Sequence, residues 1–319
     1  MIHADCAFRI GKTHLVCQDY ALVGTGEFPC VLLADGCSGS PETDFGARLL
    51  VRSALPLIDI LFDVPDTAAT EGNMEEDSSA HSVSSFSSLF SARLKQYHLD
   101  TIKAARCHAA ALGLPDTALD ATLLTLATHG ENWFASLFGD GVVVAKNRSG
   151  VLEITVVSYP GGYPYYINYE ADPARKRALL QQKNNQRHVN VSWLTAENKD
   201  EFGTKENNLK DTAMESESTE KSCNSCPPAS PCHYVHGRLA DYQWVAILSD
   251  GLHTFSKVPE DGTAHANLPL PLTDVLRSLL AFKTMTGQFV QRRMQRFQQD
   301  CAHQGWQHHD DISVGVIVF

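Results

Sequence analysis

The sequence predicts an α+β fold in which antiparallel sheets are covered by helices. Three observations carry that prediction. A β-meander punctuated by turn residues runs through 120–159, amphipathic helical patterns lie on both sides of it, and strand patterns stand near both ends of the 319 residues. No internal repeat interrupts this order, so residues 1–319 read as one domain.

Cys6 to Lys12 is a short β-type segment leading into Gly11-Lys12-Thr13-His14, and Asp19 to Gly24 (DYALVG) is a second. The turn Thr25 to Pro29 separates the second from the apolar run Val31 to Ala34. That run delivers Asp35 and Gly36 to a turn, and the two segments pair as a hairpin. Thr43 to Phe62 sets Phe45, Leu49, Leu50, Ala54, Leu57 and Ile58 on one helical face, with Thr43 or Asp44 as cap. Pro56 implies a kink or break in it. Residues 65–88 are acidic and serine-rich and bury too little apolar surface to order themselves, which reads as a mobile insertion.

A second long helix is expected over Ser91 to Leu112. The meander follows: Ala121 to Thr128, Trp133 to Gly139, Val142 to Lys146 and Val151 to Ser158, joined by turns at 129–132, Asp140-Gly141 and 147–150. Tyr159 to Tyr169 is a Gly/Pro/Tyr-rich shaped loop, and Asp172 to Gln182 a short helix. Residues 196–231 form a second polar tract, read as another mobile insertion. Order resumes at Arg238, with a strand over Trp244 to Leu248. Helices follow at Leu272 to Phe282 and Thr286 to His303, and the closing strand is Ile312 to Phe319.

The formal net charge is -11. That balance argues against nucleic acid or an anionic membrane as partner, since either would need a basic face. No apolar run approaches the roughly 20 residues that span a bilayer, and the start lacks a signal-peptide pattern, so a cytoplasmic protein is expected. The 9 cysteines, scattered singly at Cys6, Cys17, Cys30 and Cys107 among others, suit buried thiols in a reducing compartment.

One device recurs: an apolar β-type run tipped by an acid. It gives Asp19, Asp35, Asp140, Asp250 and Asp310, with Asp311 beside the last. If these tips converge, the carboxylates repel unless cations neutralise them, so convergence implies bound metal. Oxygen ligands of this kind select hard ions such as Mg²⁺ or Mn²⁺.

The segments GKTHLVCQDY, VLLADGCSGS, DATLLTLA with FASLFGDGVVV, VAILSDGLHTF and DDISVGVIVF together resemble the metal-dependent Ser/Thr protein phosphatases of the PP2C (PPM) family, in its bacterial-type branch. They occur in the family's order from near residue 11 to residue 319. The resemblance implies a four-layer α-β-β-α sandwich holding two Mn²⁺ or Mg²⁺ ions, with a third, weaker one. Asp35 would bridge the two ions and the Gly36 carbonyl would bind one of them. Asp250 and Asp310 would complete the first site, Asp19 would support the second directly or through water, and Asp140 would help hold the third ion. Thr122 matches a small polar position beside the site. The implied reaction is attack of a hydroxide bridging the ions on phosphoserine or phosphothreonine of a protein substrate, without a phosphoenzyme.

Three departures from the family pattern stand out. His14 replaces a phosphate-gripping arginine and lacks its bidentate fork, though it can still contact phosphate. Gln18 stands where Glu is frequent, and Cys37-Ser38 replaces the usual pair after Asp-Gly. These leave open a catalytically weak module that binds a phosphorylated partner, and a two-metal hydrolase of a small phosphorylated metabolite. Among other candidates, Cys223, Cys226, Cys232 and His233 have zinc-ligand types but a loop-like setting. His308 and His309 read as an exposed turn, His129 as a turn residue without a role, and Arg292, Arg293 and Arg296 as a solvated face. Tyr163, Tyr165 and Tyr166 read as packing residues.

Overall fold

Two antiparallel sheets lie face to face, and the chain crosses between them several times. In the computed structural model, residues 2–62, 79–159, 162, 164–182, 190–196, 232–257 and 268–319 are described. Strand β1 (His3–Arg9) is followed by the hairpin β2 (Asp19–Gly24) and β3 (Cys30–Asp35). Helices α1 (Thr43–Ala54) and α2 (Ser79–Ala111) come next. The meander is β4 (Leu123–His129), β5 (Asn132–Phe138), β6 (Gly141–Asn147) and β7 (Leu152–Ser158). Helix α3 (Pro173–Gln182), β8 (Asn190–Ala196), β9 (Cys232–Arg238) and β10 (Tyr242–Leu248) follow. After the short strands β11 (Ser256–Lys257) and β12 (Leu268–Pro269) come α4 (Leu272–Leu279) and α5 (Phe289–Gln304). The short β13 (Trp306–Gln307) and the long β14 (Ile312–Val318) complete the set.

One sheet has the order β1-β14-β10-β6-β7-β8 and the other β2-β3-β4-β5-β9, while β12-β11-β13 form a small third sheet. Alternation along β14 explains the layering. Ile312, Val314 and Val316 pack with Val275, Leu276, Met294 and Phe297 of α4 and α5. Ile317 faces the other way, into a core shared with Val31, Leu33, Val143, Val245 and Ile247. That second core continues through the five-stranded sheet to Leu50 and Val51 of α1 and Tyr97 and Ile102 of α2. Four layers, helix, sheet, sheet and helix, follow from these two faces. β3 is buried along its length up to Asp35 because it is covered on both sides, which is why its sequence, CVLLA, is apolar without alternation. The sheets approach closely at Gly315, where a Cβ would lie 2.1 Å from Val31 Cγ1.

Several elements differ from the sequence reading. β1 starts and ends three residues early because its ladder with β14 runs from His3 opposite Val318 to Arg9 opposite Ile312, leaving Gly11 to His14 in the loop beyond. The first helix is α-helical only to Ala54 and tightens to a 3₁₀ stretch over Leu55–Leu61, with Pro56 in its first turn where no N–H is needed. Helix α2 begins at Ser79, so the tract expected as an insertion at 65–88 is helical in its last part; residues 63–78 lie outside the described residues. β8 and β9 were not anticipated, and residues 197–231, with Cys223 and Cys226, also lie outside the described residues. Among the described residues no helix is long and apolar enough to cross a membrane.

Candidate active site

The register of the β2–β3 hairpin sets Asp19 directly opposite Asp35, so both carboxylates leave the sheet on one face. Asp35 is fixed through its backbone: its N–H donates to Thr122 Oγ1 at 3.0 Å, and the Thr122 N–H returns a bond of 2.9 Å to its carbonyl. Across the sandwich, β10 and β14 are neighbours, which brings Asp250, just past β10, beside Asp310, just before β14. Asp140 sits in the β5–β6 turn between Gly139 (φ 107°) and Gly141 (φ 150°), conformations that favour glycine. Gly251 and Gly36 are equally constrained by space. A Cβ on Gly251 would stand 1.8 Å from the Asp311 carbonyl oxygen, and one on Gly36 would stand 2.9 Å from the Thr43 carbonyl oxygen.

These acids act on one another. Burial, then Asp19 and Asp250, then a hydrogen bond with Asp250, and then Asp310 push the Asp35 carboxyl well above the usual range. The neighbours that act most strongly on it are all acids. Burial lifts Asp19 to about 7 against the opposing pull of the Ser249 and Ser313 hydroxyls, and Asp311 and Asp250 add to the lift. Burial and Asp250 take Asp140 to about 7 as well, and Asp250 is hydrogen-bonded to this carboxyl too. Asp310 is raised by burial, with Asp250 adding and His14 opposing. Ser249 Oγ donates to Asp19 Oδ2 at 2.7 Å, yet Asp19 Oδ1 is buried and has no partner among the described residues.

The loop 11–18 closes one side of the site and is held by a single buried carboxylate. Asp311 Oδ1 accepts from the Gly11 N–H and Oδ2 from the Gln18 N–H, both at 2.6 Å. The Lys12 and Thr13 N–H groups add bonds of 3.2 Å to the His308 and His309 carbonyls. His14 Nε2 lies 3.5 Å from Asp310 Oδ1, and its Nδ1 lies 3.1 Å from Asp311 Oδ2, off the line of a hydrogen bond. Burial works against a charged ring, but Asp311, Asp310 and Asp19 outweigh it and raise the His14 pKa. The Gln18 side-chain amide donates to Thr43 Oγ1 at 2.6 Å.

Sequence reasoning missed several neighbours of this cluster. Ser249 and the anchoring role of Asp311 need contacts spanning 230 and 300 residues, which no local pattern displays. Tyr166 packs against Tyr169 as expected but also hydrogen-bonds to the Cys37 thiol and feels Asp140 and Asp35, while Tyr165 packs against Phe138 and Tyr169. Tyr163 is outside the described residues. Asp120 is gripped by the Arg175 fork at 2.9 and 2.7 Å and also accepts from Ser40 and Asn168. His129 is not an idle turn residue, since its ring stacks on Phe62 at 4.9 Å. His308 stacks on Phe255, and Ser256 Oγ lies 3.4 Å from His309 Nε2. Cys232 and His233 lie on β9, and Arg293 bonds Ser278 and Asp300.

The donor set fits hard divalent ions. It consists of carboxylate oxygens and a glycine carbonyl, its charge is excessive for its burial, and it contains the orphaned Asp19 oxygen. As the side chains stand, no three described His, Cys, Asp or Glu residues are grouped tightly enough to hold an ion. The acids meet in pairs, with Asp250 hydrogen-bonded to Asp35 and to Asp140, as like charges do when protons separate them.

No curated protein matches the sequence. Among solved structures, the S. agalactiae serine/threonine phosphatase is similar at 12% identity, covering 100% of this chain and 99% of that one, with a TM-score of 0.46. The Mycobacterium tuberculosis serine/threonine phosphatase PstP/Ppp is similar at 14% identity, 100% and 98% coverage and a TM-score of 0.45. PppA of Pseudomonas aeruginosa has 15% identity, 100% and 98% coverage and a TM-score of 0.42. Likenesses this distant add nothing to the architecture already described. The sequence evidence is firmer: the family model for protein phosphatase 2C matches residues 11–300, and the chain therefore belongs to the protein phosphatase 2C family.

Proposed function

We propose that this protein serine/threonine phosphatase works through two divalent ions, Mn²⁺ or Mg²⁺, held by the strand-tip carboxylates, and acts on phosphorylated proteins. The observation that carries the reading is the gathering of Asp19, Asp35, Asp140, Asp250 and Asp310 with only acids as the strongest neighbours of Asp35. Bound ions supply Lewis acidity and a water acidic enough to ionise near neutral pH.

Asp35, on which Asp19, Asp250 and Asp310 all bear, would be the central carboxylate holding the ions. Asp250, Asp310 and the Gly36 carbonyl complete one ion's ligands. Asp19 would support the second, its Oδ1 having no hydrogen-bond partner among the described residues. Asp140, which Asp250 bears on, would help hold a third and weaker ion. Ser249 and Thr122 fix the Asp19 carboxylate and the Asp35 backbone so that neither must reorganise as charge develops. His14, whose pKa Asp311 and Asp310 raise against the effect of burial, would donate to a phosphate oxygen.

Hydrolysis of a small aryl phosphate in Mn²⁺ tests this directly. Turnover is expected to need the ion and to be abolished by Asp35→Asn or Asp250→Asn. Undiminished turnover in chelator would sink the proposal. The second reading, a module that binds a phosphorylated partner, draws on His14 and on the Gln18 amide bonded to Thr43. Phosphopeptide binding with neither turnover nor Mn²⁺ uptake in calorimetry favours it.

A further inference from the structure

Two bulky apolar side chains stand in water at the edge of the candidate site. Leu15 is 99% exposed and Val16 53% exposed, and they occupy the positions between His14 and the Cys17-Gln18-Asp19 run. Phe45, in the first turn of α1, is 54% exposed, and Gln18 ties the loop to that same turn through Thr43. Exposure of this kind gains the fold nothing, and adjacent exposed apolar residues beside a polar site mark a contact surface.

The loop is also held still. Asp311 clamps its two ends, and Lys12 and Thr13 bond to the chain before β14, so Leu15 and Val16 project from a fixed support. Fixing a contact surface beforehand lowers the ordering cost of binding.

We infer that this rim selects phosphorylated protein segments carrying bulky apolar residues beside the phosphoserine or phosphothreonine, an inference that rests on the phosphatase reading above. Three facts identify the occupant. The rim is continuous in chain with His14 and Asp19, so whatever touches it is close to the phosphate. Acidic flanks are disfavoured by a chain of net charge -11 and by the acids of the site itself. The proposed phosphate contact, His14, is an imidazole 3.5 Å from Asp310 and 3.1 Å from Asp311 and lacks the bidentate fork of an arginine, so flanking contacts must add to binding strength.

The test uses the full chain in Mn²⁺ with paired phosphopeptides, identical except for leucine or serine on either side of the phosphoserine. The wild type is expected to favour the leucine peptide about tenfold in kcat/KM, the gain from burying one such side chain. Leu15→Ser with Val16→Ser is expected to erase that preference while leaving turnover of a small aryl phosphate unchanged. A wild type indifferent to the flanks, or a variant that keeps the preference, overturns the inference. So does a variant whose only loss is binding to neutral lipid vesicles. No aryl phosphate turnover by the wild type overturns the phosphatase reading first, and this inference with it.

Discussion

A carboxyl buried among carboxyls keeps its proton until a cation arrives. Asp19 and Asp140 are both pushed up to about 7, so ion binding near neutral pH must displace protons from them. Calorimetry of Mn²⁺ binding at pH 6.5, in buffers of different ionisation enthalpy, should register one to two protons released, roughly, per protein. The same shifts set a stability trend for the metal-free protein. A raised carboxyl contributes stability that is complete below its unfolded value near 4 and is lost as pH rises through about 7. Metal-free protein should therefore melt at a lower temperature at pH 8 than at pH 6.5, and saturating Mn²⁺ should remove that difference. His98 works in the opposite direction on the acid side. Buried, with Nε2 unpartnered among the described residues, it is lowered to about 3. Its neutral form contributes stability that is complete above about 6.5 and is lost as pH falls toward 3. Below pH 6.5 the slope is accordingly shallower than the acids alone would give, and His98→Phe should steepen it.

Loop 11–18 is an element without regular structure, and the Asp311 carboxylate holds both of its ends. Asp311→Asn leaves one amide oxygen for two N–H donors and should cost about 2–3 kcal/mol, with amide exchange in residues 11–18 accelerated at least about tenfold and β4 and β5 unaffected. Elements of this kind mark the limit of what the sequence displays. The run CVLLA, the turn residues at Gly139-Asp140-Gly141 and the end of the chain at DDISVGVIVF declare strands and their tips, because burial and turn chemistry act within a few residues. β9 hides, because CHYVHGR is an edge strand whose inward and outward positions both carry polar rings. β8 hides for a related reason: it is the other sheet's edge, and it leaves Trp193 and Leu194 substantially exposed. Asp311 was visible only as the companion of Asp310. Its partners are 300 and 293 residues away in the chain, a separation that pattern cannot bridge.

At the scale of the whole molecule, the site depends on how closely two sheets approach. Gly315 lets β14 lie against Val31 of β3, and the tips of those strands carry Asp310 and Asp35. Gly315→Ala should force the sheets apart at a cost of about 2–3 kcal/mol, read as a lower urea midpoint, and Val31→Ala in the same chain should recover part of it. Loss of Mn²⁺ affinity beyond the loss of stability would mark the spacing itself as a determinant of the centre.

The hairpin that opposes Asp19 to Asp35 closes over a few residues, whereas the hydroxyl that satisfies Asp19 lies 230 residues further along. A chain emerging from synthesis at about 5–20 residues per second therefore exposes the acidic hairpin for roughly ten seconds or more before Ser249 arrives. Over that interval the hairpin can pair with β4 and Thr122, but Asp19 lacks the Ser249 hydroxyl, and the six-stranded sheet cannot close until β14 inserts between β1 and β10. Folding of so non-local a core is slow. Refolding from urea should thus be limited by the docking of β14, and divalent ions, which have no complete site before that step, should slow unfolding without hastening folding.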